Sequence, residues 1–171
     1  MAMDNAAERA RQAELDRFHI LDTLEEQAYD DLTRLAASVC DVPVALITLL
    51  DHERNWFKSR IGTQATQAPR EYAFCEHAIR RPAEVTVVTD ATLDERFKST
   101  PQVVGAPNIR FYAGVPLVTA GGYALGTICV FDVRPRELDA RQIETLQFLA
   151  KQVMAKLEER RRALAISPTS P

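Results

Sequence analysis

The chain has 171 residues, 46% of them apolar, and 21 Lys and Arg against 24 Asp and Glu give a net charge of −3. That suits one domain with a real core and short extensions, which excludes wholesale disorder, and the acidic balance argues against a general nucleic-acid binder. Cys40, Cys75 and Cys129 are odd in number, widely spaced and without a C-x-x-C pair, which argues against a disulfide framework or structural zinc and for a reducing, cytoplasmic setting.

The N-terminal residues are charged throughout and hold no apolar signal core, and the mostly apolar run 42–50 is far too short to span a bilayer. Residues 5–18 favour helix, but Leu15 and Phe18 are the only apolar side chains there larger than Ala. We read 1–18 as an N-terminal helical extension that needs a partner to hold it. Thr23 and Glu26 form a T-x-x-E capping-box pattern, and Ala28, Leu32, Leu35, Ala36 and Val39 follow at helical spacing, so a second helix is expected over about 24–40.

The run 43–50 reads as a strand buried on both faces, and 55–60 as a second strand after a polar turn. Residues 63–72 read as a surface loop, Phe74 to Arg80 as a short helix and Val85 to Val88 as a short strand. Asp90 to Asn108 has no sustained periodicity, and so long an irregular stretch in a compact domain is often functional. Arg110 to Val118 and Tyr123 to Phe131 flank Thr119-Ala120-Gly121-Gly122, a hairpin signal. Asp139 and Gln142 cap a final helix of about 24 residues, with Ile143, Leu146, Ala150, Val153, Leu157 and Leu164 at a/d spacing, broken by Arg160 and widened by Phe148 and Leu149. Its second half projects far enough to enter a coiled coil, and the closing SPTSP reads as a disordered tail. Strands joined by tight turns, with helices at both ends, give an α+β fold.

These pieces, in this order, resemble the GAF domain, a small sensory module. The stretches that carry the likeness are HILDT at 19–23, VALITLLDHERNWFKSRIG at 44–62, FCEHAI at 74–79, VVTDATLDERF at 87–97, IRFYAGVPL at 109–117 and LGTICVFDVRPREL at 125–138. They span roughly 19–160, which we take as the domain, leaving 161–171 as helix end and tail. The likeness is to the bacterial subgroup that precedes histidine kinase or cyclic-dinucleotide enzyme domains. It implies a central antiparallel sheet, terminal helices on one face, and a ligand pocket under the short helix and loops on the other. It also implies dimerisation through terminal helices, and names no ligand, because the fold hosts many. The Asn-Lys-Phe-Asp-Glu signature of cyclic-nucleotide-binding members is absent.

Six residues are candidates for ligand binding: Cys75, His77, Asp90, Arg96, Phe97 and Tyr112. Cys75 and His77 share the short helix two positions apart and supply at most two of the ligands that zinc needs, so no metal site is expected. Asp90 or Arg96 would orient a polar ligand with Phe97 stacked on it. Otherwise Asp90 caps a turn, Arg96 pairs with Asp94, and Phe97 fills the core. Strand alternation puts Phe111, Ala113, Val115 and Leu117 on one face and Tyr112, beside small Gly114, on the other, where it suits a cavity wall or ordinary core. Trp56 could face a pocket or a dimer contact. Arg160 to Arg162 sit beside Glu158 and Glu159 and read as a solvated helix end, and no membrane or nucleic-acid partner is expected.

The expected function is a non-catalytic sensor that binds a small molecule of unknown identity and signals to a homodimer partner or an output protein. One alternative is a ligand-free interaction module. The other is a thiol enzyme like the stand-alone GAF reductases of free methionine sulfoxide. Against the thiol enzyme, the three cysteines look dispersed, with Cys40 and Cys129 at core positions.

Overall fold

The computed structural model describes residues 4–166. The tail expected at 167–171 lies outside the described residues. Two helices, α1 (Asn5–Asp16) and α2 (Gln27–Cys40), lead into β1 (Val44–Leu50), β2 (Arg54–Ile61) and the short β3 (Gln67–Pro69). Then come α3 (Phe74–Ala78), β4 (Thr86–Val88) and α4 (Pro101–Val104), and the chain closes with β5 (Phe111–Val118), β6 (Ala124–Asp132) and α5 (Ala140–Ile166). The six strands form one antiparallel sheet in the order β3-β2-β1-β6-β5-β4.

Alternation divides the sheet's side chains between two cores. Ala45, Ile47, Leu49, Phe111, Ala113, Val115 and Leu117 face the terminal helices and meet Leu146, Leu149, Val153 and Leu157 of α5. Trp56 is buried in this same layer, so it faces neither a pocket nor solvent. Val44, Leu46, Leu50, Phe57, Tyr112 and Cys129 face the other way, toward α3 and Phe97. The expected α+β architecture, with terminal helices on one face, is the one observed.

Two register shifts correct the simple alternation. Between Ile47 and Thr48 the pairing with β2 skips Lys58, so Lys58 and Ser59 both turn toward α2. Lys58 is almost wholly buried, and its ammonium is satisfied by Thr23 Oγ1 at 2.9 Å, the Leu24 carbonyl at 2.6 Å and Glu26 at 2.6 Å. This explains why the Thr23–Glu26 capping box does not form. Both side chains are taken up by Lys58, and α2 begins at Gln27 without a side-chain cap. The second shift skips Leu125 and brings Gly126 against β1. A Cβ on Gly126 would lie 1.8 Å from the Thr48 carbonyl oxygen, so this position admits only glycine.

Three further expectations are corrected. The loop over 63–72 contains β3 and a 3-10 turn at Arg70–Tyr72. The stretch 90–108 is pinned rather than irregular: it holds a 3-10 turn at Ala91–Leu93 and α4, Phe97 and Val103 are buried, and Ile109 N donates to Gln102 O at 2.9 Å. Phe148, expected to widen the buried stripe of α5, is 58% exposed, whereas Leu149 is buried. The Asp139–Gln142 box does form, with reciprocal bonds of 2.8 and 2.9 Å.

α1 is held despite its poor apolar face. Leu15 and Phe18 enter the helix-side core. Arg11 is buried and donates to the carbonyls of Leu50, Ala124 and Leu125, satisfying the ends of two strands. Arg160, the break in the α5 rhythm, donates to the carbonyls of Phe18 at 2.9 Å and His19 at 2.7 Å just past the end of α1.

Candidate functional site

A cavity of about 610 Å3 lies between the second face of the sheet and the segment carrying α3 and α4. Its walls are mainly apolar: Leu46, Phe57, Tyr72, Phe74, Ile109 and Phe131. Pro101, Gln102 and Pro107 close one side, and Gln102 is tied to the Tyr72 carbonyl. Thr63 and Gln102 also line it, and Asn55, Cys75, Tyr112 and Cys129 are its buried polar residues.

Cys75 is the focus of a hydroxyl cluster. Its sulfur lies 3.2 Å from Thr127 Oγ1, 3.3 Å from the Tyr112 hydroxyl and 3.6 Å from Thr48 Oγ1. Thr48 and Thr127 are themselves 3.0 Å apart across the β1–β6 pair. The neighbouring Cys129 thiol, together with the hydroxyls, outweighs burial and holds the Cys75 thiol below its usual range. The neighbouring Cys75 sulfur, reinforced by burial, pushes the Cys129 thiol up. Burial, then the nearby sulfurs, push the Tyr112 hydroxyl up.

Two local features build this cluster. A Cβ on Gly114 would sit 2.1 Å from the Tyr112 hydroxyl oxygen, so the bare glycine is what lets Tyr112 lie along its own strand and reach Cys75. The β5–β6 register pairs Gly114 with Cys129, which brings Cys129 to the same face. The dispersal of cysteines expected from sequence is therefore corrected. Cys75 and Cys129 share one cavity, while Cys40 is buried elsewhere and its thiol is pushed up to about 11, chiefly by burial.

Asn55 is the least expected feature. It is 4% exposed, lines the cavity, and its Oδ1 has no hydrogen-bond partner. A buried acceptor left unpaired is costly, so such an atom marks a place for a donor. The clue available in the sequence was parity with Phe57 along β2.

The six sequence candidates do not form one site. Cys75 and Tyr112 line the apolar cavity. His77 and Arg96 line a separate cleft of about 840 Å3 beside α1 and the β5–β6 turn. Phe97 stands between, stacked on Phe74 at 4.2 Å and edge-on to His77 at 4.8 Å. Asp90 lines neither. Its carboxylate accepts from Thr92 N at 3.0 Å and Thr92 Oγ1 at 2.6 Å, which makes it a turn cap. Arg96 pairs with Asp94 through two bonds of 3.0 and 2.8 Å. Among the described residues no group of three or more His, Cys, Asp or Glu is placed to hold a metal, and no helix is long and apolar enough to cross a membrane.

A model of the GAF domain family matches residues 25–157. The chain belongs to the GAF domain family. A cyclic di-GMP phosphodiesterase of Pseudomonas aeruginosa is 43% identical over 151 residues, which cover 88% of this chain and 26% of that protein. This GAF chain thus spans about a quarter of the length of that curated relative. Among solved structures, the GAF domain of an Acinetobacter phosphoenolpyruvate-protein phosphotransferase is similar, with a TM-score of 0.64 at 18% identity and coverage of 98% of this chain and 100% of that one. A free methionine-R-sulfoxide reductase of Neisseria meningitidis, in complex with its substrate, gives 0.62 at 18% identity over 95% and 96% of the two chains. At these identities the two structures speak to the fold.

Proposed function

We propose that this GAF domain is a non-catalytic sensory module that binds a small molecule in the sheet cavity and passes occupancy on through its terminal helices. The observation that carries the reading is the unpartnered Asn55 Oδ1, set in a mainly apolar cavity of about 610 Å3. That volume and lining suit a drug-sized ligand oriented by few polar groups. The ligand is mainly apolar and presents an N–H or O–H to Asn55, with Cys75 and Tyr112 beside it. The 43% identical relative supports a regulatory role next to a cyclic-dinucleotide output domain in a bacterial cytoplasm. Exposed Phe148, Leu164 and Ile166 on α5 support a homodimer through the terminal helices.

Native mass spectrometry of freshly purified protein, compared with its denatured mass, tests the reading. The expected result is a dimer carrying a small extra mass that is lost on denaturation and absent in Asn55→Leu. A clean dimer with an empty cavity that also fails to take up added apolar amides would sink the sensor and favour an interaction module.

One observation favours a second reading. Cys75 and Cys129 lie together in the cavity, as a thiol reductase requires. Two thiols would close to a disulfide while a sulfoxide becomes a thioether and its oxygen leaves as water. Reduction of free methionine sulfoxide by the wild type, lost in both Cys75→Ser and Cys129→Ser, would establish it.

A further inference from the structure

The second cleft has a different chemistry from the cavity. It is bounded by α1, the end of α3 and the β5–β6 turn, and is lined by Arg11, His77, Arg80, Arg81, Arg96 and Tyr123 with small neighbours. Four arginines and a histidine line it, and no acidic residue does. We infer that this cleft is an anion site for a phosphate-bearing small molecule, separate from the sheet cavity.

The charges behind the lining do not balance. Glu8 accepts from Arg11 at 2.9 Å and from Arg70 at 2.6 Å, and Glu76 accepts from Arg70 at 2.6 Å and from Arg80 at 3.0 Å. Two carboxylates thus serve three guanidiniums, leaving one positive charge in a partly buried network. Arg70 bridges the two carboxylates from outside the cleft, whereas Arg11 and Arg80 line it. Arg11 is fully engaged with Glu8 and three carbonyls. Arg80 is not, because its Nε is buried without a partner. Arg96 spends Nε and one terminal nitrogen on Asp94, which leaves the other free. Arg81 meets Glu84 at 3.5 Å with both side chains mostly exposed, a pair too weak to hold it back from a ligand.

His77 lies beside the same arginines. Burial lowers its pKa, and Arg80 and Arg96 push it lower still against the opposing pull of Glu76 and Asp94. Burial first, and the two guanidiniums second, thus disfavour the charged imidazole beside the cleft. A bound anion would reverse that and raise the pKa of His77.

Guanidinium forks match phosphate oxygens in pairs, so a phosphate group fits this donor set better than a halide or a single carboxylate. The positive potential is confined. The chain carries a net charge of −3, and the neighbouring cleft on the far side of Arg80 is lined by Glu53 and Glu71. That arrangement suits a small anion rather than an extended polyanion.

The test follows the His77 ring resonances of the full chain by NMR while inorganic phosphate or adenosine 5′-monophosphate is added at constant ionic strength, with sodium chloride as the control. Saturable shifts and a raised His77 pKa are expected. Arg96→Gln, a surface change that should not disturb folding, and Arg80→Gln should each weaken binding about ten-fold, the loss of one charge-assisted hydrogen bond. Asn55→Leu should leave it unchanged. Tighter binding of the nucleotide supports a ligand with an organic body beside Tyr123, and equal binding supports free phosphate as the occupant. A response matched by chloride, or one that survives intact in both arginine variants, overturns the proposal.

Discussion

Cys75 owes its character to an atom missing two strand positions from Tyr112. With no Cβ at Gly114, the Tyr112 hydroxyl reaches the Cys75 sulfur at 3.3 Å. Gly114→Ala must displace it, and Tyr112→Phe removes it without overpacking. Both changes take away a donor that favours the thiolate, so both should raise the Cys75 pKa. In the wild type, Cys75 should form its thiolate at lower pH than Cys40, whose thiol is pushed up to about 11. Alkylation across pH, read by peptide mass spectrometry, should therefore modify Cys75 first, and Tyr112→Phe should move its profile to higher pH. Identical profiles for Cys75 and Cys40 would refute the hydroxyl cluster's role. The Tyr112–Gly114 relation was legible in the sequence because it lies within one strand. The arrival of Cys129 was not, because it depends on which β6 residue pairs with Gly114.

Among the elements, α1 shows how a helix with few apolar residues can still be fixed. Its anchor is electrostatic: Arg11 closes on strand-end carbonyls, and Glu8 joins it to Arg70. Burial alone would raise the Glu8 pKa, but the hydrogen bonds from Arg11 and Arg70 outweigh it and hold the carboxyl far below its ordinary 4.5. A group with a lowered folded pKa contributes stability that is fully present above its unfolded value and is lost as pH falls below it. The attachment of α1 should therefore hold above about pH 4.5 and weaken progressively under more acid conditions. Amide protection factors for α1, corrected for intrinsic exchange, should fall between pH 5 and pH 3 while those of β5 and β6 persist. Glu8→Gln should lower global stability by roughly 1–3 kcal/mol at neutral pH and flatten that acid response. A pH response of α1 that remains unchanged in Glu8→Gln would remove Glu8 from the explanation. Sequence fixes elements well where the determinants are local, as with the Asp139–Gln142 box. It fails at Thr23–Glu26 because Lys58, far along the chain, claims both side chains.

At the scale of the whole molecule the open question is how the terminal helices meet a partner. α5 runs for 27 residues, about 40 Å at the helical rise, and its two sides serve different ends. Leu146, Leu149, Val153 and Leu157 are buried against the sheet, and Arg160 holds the segment that follows α1. Phe148, Leu164 and Ile166 are exposed among the described residues. A cut at about 156 would remove Leu157 and Arg160 with the exposed end, and so would damage the core as well as any interface. Two gentler changes separate the roles: a chain ended after 162, and Phe148→Glu in the full chain. Both leave every buried α5 residue in place, so circular dichroism and melting temperature should stay close to wild type. Sedimentation velocity should show the wild type as a dimer and both variants shifted toward monomer, because a carboxylate at Phe148 or the loss of Leu164 and Ile166 removes apolar area from the proposed seam. Variants that stay fully dimeric would place the contact elsewhere, and exposed Leu35 on α2, which packs beside α5, is the next surface to change.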